Sequence, residues 1–196
     1  MNTTIIPTDD DIIATTKSWL KEAVIGLNLC PFANAVYIKN QIRYVVSQAE
    51  TPEALAEELA QELTFLQESD PKEIDTTLLI HPYVLSQFLD YNDFLETADG
   101  LLQDLDLEGI IQIASFHPDY QFAGTQADDI ENYTNRGPYP MLHLLRESSI
   151  ERAVTLFPDT TVIFEKNIAT MQMLGIKAWQ QMAFVVSRKQ QRLLKK

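Results

Sequence analysis

Apolar positions recur along this chain with two periods. Ile12, Ile13, Thr16, Leu20, Ala23, Val24 and Leu27 fall three and four apart, which predicts an amphipathic helix running to about Gly26. Thr8 with Asp11 three positions on reads as its N-terminal cap. After a turn region carrying Cys30, Pro31 and Phe32, residues 36–39 and 42–47 flank a polar break at Asn40 and Gln41 and predict a hairpin. Thr51, Pro52 and Glu53 form a strong helix start. Leu55, Leu59, Leu63 and Leu66 then make one stripe, which Asp70 and Pro71 end.

Residues 76–80 and 110–116 are short apolar runs of the kind that buried strands show, each stopped by a histidine–proline pair, His81–Pro82 and His117–Pro118. A helix over 84–105 joins them. Residues 119–139 are turn-rich, and helices are predicted over 140–157 and 160–174, with Gly175 as a stop. The order argues for an α/β fold: a small mixed sheet, made of a hairpin plus two helix-connected strands, covered by about five helices. A ferredoxin-like α+β arrangement is the alternative. At 196 residues the chain suits a single domain, with 1–8 and 188–196 as loose ends.

The formal net charge of -13 is unevenly spread, because Lys72 is the sole cation between Arg43 and Arg136. Such a chain repels phosphate backbones, so nucleic acid is excluded as a partner. No apolar stretch approaches the roughly 20 residues that cross a bilayer, and no membrane partner is expected. Cys30 is the lone cysteine and residues 1–10 lack a secretory pattern, so a reducing cytoplasm is expected. Arg188, Lys189, Arg192, Lys195 and Lys196 form a basic end that reads as a solvated tail.

His81 and His117 close two strands that share one sheet direction, and ligands of open α/β sheets bind at the carboxyl ends of strands. Imidazole titrates near neutrality, so His117, aided by His81 or by His143, is the candidate for proton transfer. Equally, each ring at a strand end could simply bond a loop carbonyl. Asn135 and Arg136 precede the helix predicted from 140, whose free N–H groups would welcome an anion. On that helix His143, Arg146 and Glu147 share a face with Ile150 and Val154.

Arg136 and Arg146 are thus candidates to hold a small anionic molecule. Arg146 or His143 could instead form a surface pair with Glu147. Asn92 falls in the arc of Leu85, Phe88 and Leu95, as an orienting group or a structural hydrogen-bond hub. Asp90, Asp93 and Thr97 fall on the polar side. Cys30 is a possible nucleophile, or an inert packed thiol.

A metal site from Cys30 and the three histidines is compositionally possible, but no close pair of ligands supports it and none is assigned; Gly124 and Gly137 stand alone without a phosphate loop or dinucleotide fingerprint. No nucleotide cofactor is expected. The words GLNLCPFA at 26–33, DTTLLIHP at 75–82, DYNDF at 90–94, SFHPDYQFAG at 115–124, TNR at 134–136 with PYP at 138–140, and HLLRE at 143–147 resemble a bacterial family catalogued as domain of unknown function 1415, over residues 19–179. That resemblance implies a bacterial cytosolic protein and assigns no reaction. Two functions follow from the residues: a small enzyme or ligand-binding domain with a His/Arg site at the carboxyl edge of the sheet, or a non-catalytic acidic module that meets a protein partner. Gathering of the histidines, arginines and Cys30 in one pocket favours the first; scatter, each with its own local partner, favours the second.

Overall fold

Four leucines spaced at helical intervals must cover something apolar, and the computed structural model, which describes residues 7–156 and 160–193, shows what. Helix α3 (Pro52–Glu68), capped by the Thr51 hydroxyl, lays Leu55, Leu59, Leu63 and Leu66 on the sheet with none of them exposed. Helix α4 (Phe88–Asp104) packs beside it through Tyr91, Phe94, Ala98 and Leu102. On the opposite face lie α1 (Asp9–Trp19), the π-helical turns Leu20–Ile25, α6 (Thr160–Gln180) and α7 (Ala183–Leu193). The protein is a three-layer α/β structure with a four-stranded mixed sheet and seven α-helices among the described residues.

The sheet order is β1 (Ile42–Val46), β2 (Thr76–Ile80), β4 (Met141–Arg146), β3 (Ile111–Phe116). β1 and β2 are parallel and joined through α3; β4 runs antiparallel to both β2 and β3. β2 and β3 therefore point the same way, with the reversed strand between them. The parallel neighbours β1 and β2 rule out the ferredoxin-like alternative.

Two expected elements are corrected. Residues 36–39 are not a strand: α2 (Ala33–Ile38) occupies them, and Asn40 at φ 56 ends that helix in the left-handed region that asparagine tolerates. The polar break read as a hairpin turn is thus a helix stop, and β1 pairs with β2 instead. Nor is 140–157 one helix. Residues 141–146 are strand β4, and α5 (Glu147–Leu156) begins only afterwards. An apolar run as dense as Met141, Leu142, Leu144 and Leu145 fits either period, and burial between two strands decides for the pleat. Phe157, residues 158–159, and the 1–6 and 194–196 parts of the loose ends expected at 1–8 and 188–196 lie outside the described residues.

The strand assignment changes where side chains point. In a pleat, His143 and Arg146 face opposite sides. Arg146, 7% exposed, lies on the α3 side, where its guanidinium donates to the carbonyls of Leu66, Ser69 (2.8 Å) and Ile74. It fastens the end of α3 and the approach to β2. His143 faces the other way and donates from Nε2 to the Thr76 hydroxyl at 2.7 Å, that hydroxyl being committed as a donor to the Leu144 carbonyl.

Two local constraints complete this layer. Gly26 follows the π-helical turns, where a Cβ would collide with the Glu22 carbonyl. α6 breaks at Gly175, whose φ of 71 takes the chain out of the helix at the expected stop.

Replacing Arg146 by Ala leaves three carbonyls, two at the end of α3 and one on the approach to β2, without their donor. Urea unfolding should register a loss of about 3 kcal/mol. A loss under about 1 kcal/mol would mean that water takes over these carbonyls.

Candidate functional site

The carboxyl ends of β2 and β3 are stitched to the segment entering β4. The His81 N–H donates to the Pro140 carbonyl (3.0 Å) and the His117 N–H to the Asn135 carbonyl (3.2 Å). Both imidazoles turn toward α4 and are fully buried. Between them stands Tyr91, stacked on His81 with ring centroids 5.7 Å apart and tilted against His117 at 5.1 Å. The Tyr91 hydroxyl donates to the Met141 carbonyl at 2.8 Å, and burial raises its pKa. Phe88, 5.5 Å from His117, closes the cluster.

Hydrogen bonding fixes each tautomer. The Asp119 N–H donates to His117 Nδ1 at 3.0 Å, so the ring proton sits on Nε2, which donates to the Leu85 carbonyl at 3.3 Å. His81 faces the Val84 carbonyl with Nδ1 at 3.3 Å, so Nδ1 carries its proton. His81 Nε2 is then a buried lone pair without a hydrogen-bond partner among the described residues. Desolvation pushes both rings down to about 4, and for His117 the charge of Arg188 adds to the effect. Both are neutral at pH 7.

The two rings hold the turn after β2 in place. Leu85 in that turn has φ 55, a left-handed conformation disfavoured for leucine. The turn in turn forms one wall of a cavity of about 200 Å³. Pro82 and Pro118, the residues after the two histidines, line it together with Pro7, Pro138 and Pro140. Ile12, Tyr83, Ser86, Tyr139 and Arg188 are the other described residues of the wall. Arg188 reaches it from α7, which Phe184, 3% exposed and 5.3 Å from Trp179 between ring centroids, anchors on the core.

The other candidates lie elsewhere. Arg136 donates to the carbonyls of Tyr120 (3.2 Å) and Ala127 (2.7 Å) and stacks on Tyr133 at 4.1 Å, so it binds its own loop. Asn135 donates to the Ser115 carbonyl at 3.1 Å. No α-helix starts behind these two residues: Ile130–Asn135 is a 3-10 helix and β4 follows. His143 is partly exposed as a residue, yet burial of its ring pushes its pKa down to about 4. It stands in mid-strand, opposite Leu78 and Ala114. Arg146 is at the far end of β4, some six strand residues or about 17 Å from the carboxyl edge.

Asn92 is exposed, which corrects its placement in the apolar arc. Leu85, one member of that arc, lies before the helix; the buried set of Tyr91, Phe94, Ala98 and Leu102 puts Asn92 about 100° away. Asp90, Asp93 and Thr97 are exposed as well. Cys30, after the π-helical turns, is largely enclosed, and burial raises its thiol pKa above the ordinary value, the opposite of nucleophile activation. Among the described residues, no three of the His, Cys, Asp and Glu side chains gather as a metal could use.

Two residues of this region were missed from sequence: Tyr91 and Arg188. Tyr91 carried a signal, since it begins the i, i+3, i+7, i+11 series of buried positions on α4. Arg188 follows buried Phe184 by one helical turn, and so shares its inward side.

A family model described as "Protein of unknown function (DUF1415)" matches residues 11–181. No curated protein and no solved structure is a significant match. No helix among the described residues is long and apolar enough to cross a membrane.

The buried rings make stability depend on pH. Their folded pKa values lie below the ordinary 6.5, so the unfolded chain binds more protons between those limits, and stability is lost as pH falls through that window. From pH 7.5 to 5.0 urea unfolding should show a loss on the order of 2 kcal/mol for each of His81 and His117, and a like contribution from His143, whose pKa is pushed down to about 4 as well. A flat profile would mean that the rings titrate as in open water.

Proposed function

This chain belongs to the family of proteins of unknown function DUF1415, and we propose that it binds a small anionic molecule in the cavity at the carboxyl edge of its sheet. One observation carries the reading: a cavity at the end of β2, where open α/β sheets place ligands, is lined by a cation, Arg188, in a chain of net charge -13. A guanidinium presents a fork of donors suited to carboxylate or phosphate oxygens. Judged by gathering alone, the expected histidine–arginine site does not support the reading, since Arg136, Arg146, His143 and Cys30 are spread over the molecule. What supports it is the cavity and Arg188.

Binding is favoured over catalysis by the state of the two histidines. His117 has both ring nitrogens engaged with backbone groups, and His81 has its proton on a loop carbonyl. Their role in this reading is to shape the wall beside the ligand. A second reading, the acidic interaction module, draws on the outer surfaces of α3 and α4, where Glu53, Glu57, Asp90, Asp93, Glu96 and Asp99 are all exposed. Association on that surface would weaken steeply with added salt, whereas a ligand in the cavity would be screened far less.

Chemical-shift mapping with a mixture of small carboxylates and phosphate monoesters should perturb residues 82–86 and 138–140. Arg188→Gln should weaken the response by roughly 10- to 100-fold, the size expected for a charge-assisted pair. Perturbations of equal strength in the variant, or none in either protein, would sink the anion site.

A further inference from the structure

The walls of the cavity narrow the class of anion. Pro7, Pro82, Pro118, Pro138 and Pro140 are half of the described residues that line the cavity, and proline has no backbone N–H to donate. Phosphoryl groups are held by a fan of donors, commonly several main-chain N–H groups together with cations. Here much of the wall is barred from supplying them. Among the described lining residues Arg188 is the sole charged side chain. Its guanidinium matches a planar carboxylate two bonds at a time.

The lining is more apolar than polar. Tyr83 and Tyr139 line the cavity together with the prolines, residue types whose side chains pack well against the face of a ring. A volume of about 200 Å³ lies below the roughly 300–1,000 Å³ typical of pockets for drug-sized ligands. It suits one ring with one small substituent. We infer that the cavity takes a small aromatic monocarboxylate, its carboxylate on the Arg188 fork and its ring between proline and tyrosine faces. The inference rests on the anion-binding reading of the same cavity and specifies the ligand class.

The test titrates the full chain with benzoate, benzamide, acetate and phenyl phosphate, following the backbone amide resonances of Tyr83, Ser86 and Tyr139. Benzoate should saturate these shifts. Benzamide, with the same ring and no charge, and acetate, with the charge and no ring, should each bind at least tenfold more weakly, and phenyl phosphate should not exceed benzoate. These contrasts need no substitution; Arg188→Gln, checked for an unchanged melting profile, should erase the preference of benzoate over benzamide. Phenyl phosphate binding more tightly than benzoate, and through Arg188, would overturn the monocarboxylate while leaving the anion site intact. Equal binding of benzoate and benzamide, insensitive to Arg188→Gln, would overturn both. Failure of benzoate to bind, with Arg188-dependent shifts from another anion, would overturn only the ligand class.

Discussion

Strand β4 has to lie antiparallel between two strands that point the same way, and most of the architecture follows from that insertion. Its backbone is paired on both sides, to β2 from Met141 through Leu145 and to β3 over its full length. Burial between α-helical layers leaves those main-chain groups no partner but the neighbouring strands. The insertion separates the carboxyl ends of β2 and β3 by one strand width, close to 5 Å on each side. It also forces the segment entering β4 to arrive at those same ends, bringing Pro138, Tyr139 and Pro140 to the cavity. The cavity at the edge is therefore a product of topology.

Tyr91 ties that edge to the helical layer. Its hydroxyl reaches the first carbonyl of β4 while its ring fills the space between the two histidines. A phenylalanine could fill the same volume but would leave the Met141 carbonyl without that donor. The aromatic contacts continue from His117 through Phe88 to Tyr120, which is 5.1 Å from Phe88. The turn-rich segment after β3 is thereby attached to the same core. Within that segment buried Asn132 receives the Phe122 N–H and the Thr125 hydroxyl and donates to the Gln126 carbonyl. It supplies the order that a segment with only a short 3-10 helix cannot draw from extended secondary structure.

Local chemistry made some elements readable in the sequence and not others. The cap at Thr51, the leucine stripe of α3 and the apolar runs ending at His81 and His117 are signals contained within a few residues, and each element stands where they placed it. β4 was unreadable because its apolar run satisfies both periods, and only its two neighbours, distant in sequence, select the strand. The candidate site depends on the same choice: His143 and Arg146 would share a face on a helix and face opposite sides on the strand they occupy. The edge itself was legible, since a histidine–proline pair stops each of the two parallel strands. Arg188 was not, because its place depends on how α7 packs against α1, some 180 residues earlier in the chain.

Neutral buried histidine explains what these rings contribute better than proton transfer does. An apolar residue of similar size would fill the space beside Tyr91, but it could not donate to the Val84 and Leu85 carbonyls. Those bonds hold a turn in which Leu85 is strained, at a cost of order 1 kcal/mol or more. Without them the turn would relax, and the wall formed by Pro82, Tyr83 and Ser86 would lose its shape. Imidazole is apolar enough in its neutral form to be buried, yet keeps one N–H for a carbonyl. His117 also accepts the Asp119 N–H, so one ring fixes the turns after β2 and after β3 together. Each requirement bars the charged form: a protonated His117 would set a second N–H against that of Asp119, and a protonated His81 would bury an uncompensated charge. The preformed cavity and the depressed pKa values thus have a single cause, burial of two polar rings to hold a strained turn.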